Sequence, residues 1–399
     1  MKLRQTNGDF IVNEILDNEF IKENPSGNYS LYILKKSNIE NLKALNYISK
    51  NCNIPINDIG YCGLKDKYAI TTQYISIPTK YDKIELNEKN LTLKYLKTIN
   101  SPLKIGSLMG NSFKITVRAI DKNDFSNISK NLQNLEQGAP NYFDDQRFGS
   151  VFHNQFIAKY YLKGEYEKAL KIILTEYTRS ENKRIKDLKR NIKKNWNKWD
   201  NIIEYIKNNK INSKMFVNII KYLNNPERNN NYKEAFKYVD NRLKKLFVLS
   251  YQSYLWNECI KELLKTKLPK EQRKYVDYSC GTFLYYSKID NELFNTLKKD
   301  KFPTIAPDID YNNHKDEYYN IILKILRKER ASLKDFNNLM ELNKLSYVER
   351  DILNIPKNIK YGDFEPDEFN KGKYKITIEF ELNKGSYATI IIKRIFNIQ

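Results

Sequence analysis

The stretch GYCGLKDKYAITTQ, Gly60 to Gln73, decides how this chain is read. IGYCG (59–63) has the composition of a short strand, Leu64-Lys65-Asp66-Lys67 that of a turn, and TTQYISI (71–77) alternates as a second strand. A turn between two strands holds its side chains at the lip of a sheet, where scaffold-positioned loops carry function. Asp66 is the residue so placed. The flanking Lys65 and Lys67 favour its ionised carboxylate, which makes it a candidate nucleophile or base. Charge pattern alone favours an ordinary solvated turn, because turns favour Asp and exposed ion pairs are weak.

Outward from this turn, both ends of the chain read as sheet. DFIVNEI (9–15) and YSLYILKK (29–36) have the composition and patterning of strands, and Leu42, Leu45 and Ile48 mark a helix running to about Lys50. In LKIGSLMGNSFKITVRAI (103–120), Phe113, Ile115 and Val117 alternate with Lys114, Thr116 and Arg118, which predicts a half-buried strand. At the far end YKITIEFEL (374–382) and GSYATIII (385–392) flank a Lys-Gly turn and read as a hairpin.

GAPNYFDDQRFG (138–149) is the second dense motif. A ring that stacks on a flipped base beside an amide that bonds its edge suits a base pocket, and Arg147 suits a phosphate. Asp144 and Asp145 taken with Asp66 also read as a carboxylate metal site of a nuclease. From about His153 to Tyr347 the chain turns helical, polar and Lys-rich. Over 179–199, Ile185, Leu188, Ile192, Trp196 and Trp199 recur at helical spacing, while Arg179, Lys183, Lys186, Arg190 and Lys193 line another face. Such a face is either solvated or tracks phosphates. YQSYLWNECI (251–260) reads as a further helix, its apolar residues mostly core.

Composition narrows the partner. Lys plus Arg exceed Asp plus Glu by 69 − 48 = 21 in 399 residues, a charge that implies a polyanionic partner, of which nucleic acid is the commonest. No apolar run reaches the length of a membrane span and the first residues lack a signal peptide's apolar core, so a cytoplasmic protein is expected. The four cysteines lack metal-ligand spacing, and His153 and His314 lack the neighbours of a triad or a zinc-activated water, so the chemistry falls to Asp, Glu, Lys, Arg or Tyr.

Taken in order, these segments resemble the TruD family of tRNA pseudouridine synthases. The family's G-x-x-G-x-K-D-x-x-A-x-T-x-Q is met by Gly60, Gly63, Lys65, Asp66, Ala69, Thr71 and Gln73, and its D-F-x-V-x-E by Asp9, Phe10, Val12 and Glu14. Gly106, Leu108, Gly110, Asn111 and Phe113 fit G-x-L-x-G-N-x-F. P-N-Y-F-G-x-Q-R-F-G is matched from Pro140 to Gly149 with Asp144 in place of glycine. Gln252, Ser253, Leu255 and Asn257 fit Q-S-x-L-x-N, and FELNKGSYAT fits the family's ending with Asn383 in place of proline.

The resemblance implies an α+β fold: a pseudouridine synthase domain with a mixed, mainly antiparallel sheet (1–152 and 346–399), interrupted by a helix-rich α/β insertion (153–345) that contains the basic stretch 178–245. It makes Asp66 catalytic, has Phe143 stack on the target uracil and Asn141 hold the base or the aspartate, and turns Arg4 toward the site. Lys65, Glu14 and Arg147 complete the implied substrate-binding set. It further implies a monomer that acts on tRNA, most often at uridine 13 of the D arm, with no metal, nucleotide or redox cofactor. A non-catalytic RNA-binding or RNA-chaperone protein on the same fold is the alternative.

Overall fold

The alternating segments of the first third become strands of one sheet. In the computed structural model, which describes residues 1–18, 21–228, 230–310 and 314–397, β1 (Phe10–Leu16), β2 (Tyr29–Ser37), β3 (Ile70–Pro78), β4 (Leu91–Ile99), β5 (Leu108–Ile120) and β6 (Tyr374–Asn383) belong to a ten-stranded sheet. Its order is Lys357–Tyr361, β6, β5, β1, β3, β2, β4, Leu86–Glu88, with Gly60–Tyr61 paired to β3 and Glu365–Pro366 to β6. β1 runs parallel to β3, and the other pairings along this order are antiparallel. The sheet is thus mixed and mainly antiparallel, as expected.

Helix α1 (Asn41–Asn51) covers part of it. Ala44, Leu45 and Ile48 from the helix share one cluster with Tyr32, Leu34, Ile75 and Leu93 from β2, β3 and β4. Burying each aliphatic side chain of that size contributes about 1.5–3 kcal/mol. Gly110 lies where β5 meets β6: a Cβ there would stand 2.2 Å from the Leu382 carbonyl oxygen, so it serves a close backbone approach and not a turn.

Two local expectations change. Arg118, assigned by alternation to the open face of β5, is buried and paired with Asp9, Asp367 and Glu368. The next residue, Ala119, has φ 57°, and the β5–β6 register shifts nearby, so strict alternation has ended there. The C-terminal hairpin is also not formed. Its first strand is β6, but Ala388–Phe396 is a helix, and β6 pairs with β5, Lys357–Tyr361 and Glu365–Pro366 instead. The helix is buried almost all round, and in such a short apolar run periodicity does not separate helix from strand.

Contacts divide the described residues into two units, the first made of Met1–Asn141, Tyr286–Asp290 and 353–397, the second of Tyr142–Tyr285 and Asn291–Ile352. Within the second unit, helices Ile157–Leu162, Tyr166–Thr175, Lys183–Lys194, Trp199–Asn208 and Lys214–Leu223 each pack on the next. Beside them Asn241–Lys267 forms a helix of 27 residues with buried side chains on every side. The basic stretch is shorter than its pattern: the helix begins at Lys183, where the Asn182 side chain accepts from the Arg184 N–H, and ends at Lys194. Part of its charge is answered locally, Arg190 by Asp187 and Tyr177, Lys193 by Glu176, and the buried Lys189 by Glu181. Among the described residues no helix is long and apolar enough to cross a membrane.

Candidate active site

Lys65 and Asp66 are adjacent in the turn and are held by different partners. The Lys65 Nζ reaches into the sheet, 2.8 Å from Glu14 Oε1 and 2.8 Å from Asn111 Oδ1. Strand register explains this: Glu14 on β1 stands directly opposite Asn111 on β5. The second Glu14 oxygen accepts the Tyr74 N–H of β3 at 2.8 Å. The Glu14 side chain is 1% exposed and that of Lys65 7%. Burial pushes the Glu14 carboxyl above its ordinary range, against the pull of Lys65 and the Tyr74 N–H.

Asp66 meets Arg4. The Arg4 Nη2 donates to Asp66 Oδ2 at 2.8 Å, with the two side chains 32% and 26% exposed. The guanidinium also lies 4.1 Å from the centre of the buried Phe10 ring, a contact worth about 0.5–2 kcal/mol. Arg4 has φ 59°, a conformation that a non-glycine residue adopts at a cost. Leu64, Lys67 and Tyr68, neighbours of Asp66 in sequence, are exposed. The first unit therefore brings together four of the residues singled out in the sequence: Asp66, Arg4, Lys65 and Glu14.

Asn141, the last residue before the second unit, is buried and follows the short strand Ala139–Pro140, which pairs with Leu353–Asn354. Gly138 makes that pairing possible. It has φ 64°, and a Cβ there would lie 2.4 Å from the Asn354 carbonyl oxygen.

Phe143 and Arg147 lie in the second unit. The Phe143 ring is 7% exposed, with the Arg350 guanidinium 3.9 Å and that of Arg147 5.3 Å from its centre, and Trp256 edge-on at 5.8 Å. Its backbone is clamped by the Asn257 amide, which accepts from the Phe143 N–H and donates to the Phe143 carbonyl, both at 2.9 Å. Asp144, standing for the family's glycine, has φ −92°, so the substitution introduces no strain. Asp145 accepts the Ser279 N–H. Among the described residues no three His, Cys, Asp or Glu side chains are grouped to hold a metal ion.

Asn257 was matched to the Q-S-x-L-x-N motif but given no role, and two further residues escaped the sequence reading. Lys36 had a weaker signal, a lysine at an inward position of an alternating strand. Arg350 had none, since its contact with Phe143 is made across distant parts of the chain.

The family profile described as "tRNA pseudouridine synthase D (TruD)" matches residues 1–395. The chain is 58% identical over 398 residues to "Probable tRNA pseudouridine synthase D 1" of Methanococcus maripaludis, covering 100% of both. It is 57% identical over 396 residues to "Probable tRNA pseudouridine synthase D 2" of Methanocaldococcus jannaschii, covering 99% of this chain and 92% of that one. A crystal structure of a TruD chain from Methanosarcina mazei superposes with a TM-score of 0.73 at 25% identity, over 100% of this chain and 94% of the other. Sheet, insertion and motif turn together define a pseudouridine synthase fold. The chain belongs to the TruD family of tRNA pseudouridine synthases, in its archaeal type.

Proposed function

We propose that this protein isomerises uridine to pseudouridine in tRNA, at uridine 13 of the D arm, with Asp66 as the reacting carboxylate. The Arg4–Asp66 pair carries the proposal. A carboxylate held by a guanidinium, on a turn with the family's motif, is oriented before substrate arrives. The reaction breaks the N1–C1′ bond of the nucleotide, turns the uracil, and joins C5 to C1′. The C5 proton leaves to solvent and N1 regains one, so atoms balance without an oxidant or co-reactant. Asp66 serves as nucleophile or as base, and Arg4 keeps it aimed.

Lys65 and Glu14 act from behind, fixing the turn through their buried pair. The resemblance assigns to Phe143 the stacking on the target uracil and to Asn141 the holding of the base or of the aspartate. Arg147 meets a phosphate. Flipping costs a few kcal/mol, which contacts between the basic protein and the RNA backbone offset.

The test is carbodiimide mapping of D-arm pseudouridine in tRNA transcripts treated with the protein. A primer-extension stop at position 13, absent from a transcript carrying cytidine there, is the expected result. Modification confined to other positions overturns the assignment of the target.

A further inference from the structure

Lys36 is a buried ammonium that the chemistry above does not use. It ends the inward face of β2, after Tyr32 and Leu34, and is 1% exposed. Across the sheet it faces Thr71 on β3 and Leu91 on β4. Its Nζ donates to two backbone carbonyls, those of Ile39 and Asp66, each at 3.0 Å. Burying a lysine there is costly, and an apolar residue would continue the cluster that Tyr32 and Leu34 begin. What the lysine provides is a tie between the loop leading into α1 and the turn that carries Asp66.

The consequence is specific to one residue. Asp66 is gripped twice, its carboxylate by Arg4 and its carbonyl by Lys36. A side chain held only at its tip can tilt about its backbone; held at both ends, it cannot. Positioning on that scale is worth factors of about 100 in rate when a reacting group shifts by an ångström.

We infer that Lys36 is a positioning residue for the proposed synthase reaction: its ammonium clamps the Asp66 carbonyl to the loop before α1 and so fixes the aim of the Asp66 carboxylate. This inference rests on the functional reading above for its kinetic part and on geometry for the clamp. A supporting feature is that burial lowers the Lys36 ammonium to about 8, against the attraction of Asp66 and with the repulsion of Lys65, the charged groups that face it. The clamp then loses its charge and one of its protons as pH rises through that value.

The experiment compares wild type with Lys36→Met, which keeps the length of the side chain and removes the donor. Two quantities are read: hydrogen exchange of the 64–69 backbone amides by mass spectrometry, and kcat and KM on tRNA transcripts from pH 6.5 to 9.5. The expected result is exchange faster by about tenfold, kcat lower by about 100-fold with KM within about threefold, and loss in the variant of a kcat decline that wild type shows above pH 8. Unchanged exchange or unchanged kcat in a folded variant overturns the proposal. If Lys36→Met does not fold, Lys36→Leu, which likewise removes the donor, is read the same way, and failure of both to fold assigns Lys36 to structure alone. A wild type that turns over no tRNA contradicts the functional reading, whereas the exchange comparison still decides the clamp.

Discussion

Arg4 and Asp66, 62 residues apart in sequence, stand 2.8 Å apart as guanidinium and carboxylate, each less than a third exposed. The pair is held from both sides. Arg4 lies against Phe10, and Asp66 sits in a turn anchored by its neighbour Lys65. The guanidinium fork is stiffer than an ammonium on a flexible stem. Arg4→Ala is therefore expected to lower kcat by about 100-fold, and Arg4→Lys to restore only part of it, in steady-state assays on tRNA transcripts. Equal turnover by Arg4→Ala and wild type contradicts the orienting role.

Lys65 and Glu14 form a pair with almost no access to solvent. Removing one partner leaves the other charge buried and unanswered. Lys65→Met and Glu14→Leu are each expected to cost about 3–5 kcal/mol in urea unfolding, while the double replacement recovers much of that loss. Additive losses contradict the pairing.

Asp367 gives the fold an acid-sensitive joint. Burial pushes its carboxyl up, but the Ala119 and Phe369 N–H groups, Asn370 and Arg118 together outweigh burial and hold it down at about 2, against an ordinary 3.8. Because its folded value is depressed, its contribution is present above about 3.8 and is lost as pH falls through about 2. Thermal unfolding of Asp367→Asn is expected to be less stable at neutral pH and to lose less than wild type between pH 4 and pH 2. Parallel curves contradict this.

Arg179 precedes the basic helix, and the basic residues that follow at Lys183, Lys186, Arg190 and Lys193 are not equivalent. Lys186 donates to the Arg179 carbonyl and Arg190 is tied to Asp187 and Tyr177, whereas Lys183 is exposed at the helix start. Neutralising Arg179 and Lys183 is expected to weaken tRNA binding and to flatten its salt dependence by about one unit of slope for each phosphate that is no longer neutralised. Unchanged affinity and slope by filter binding return them to a solvated face.

The sheet and the Asp66 turn were legible because both rest on local signals, period-two alternation and a turn between strands. What failed was decided by distant partners. Arg118 looked exposed until Asp9, Asp367 and Glu368 surrounded it, and GSYATIII (385–392) looked like a strand because a buried helix and a buried strand share an apolar run. The helix Asn241–Lys267 was legible only in its middle, since burial on all sides erases the amphipathic stripe. Arg4 was named from resemblance, but its contact with Asp66 depends on a left-handed backbone at position 4 that no composition signals.

In the proposed reaction Asp66 performs a cofactor-free isomerisation of uridine in tRNA. Its most direct test is tritium release from [5-³H]uridine-labelled tRNA transcripts, with wild type and Asp66→Asn assayed side by side in EDTA. Release by wild type and none by Asp66→Asn, both binding tRNA, is the predicted result. Equal release by the two proteins, or none by either with binding intact, contradicts it.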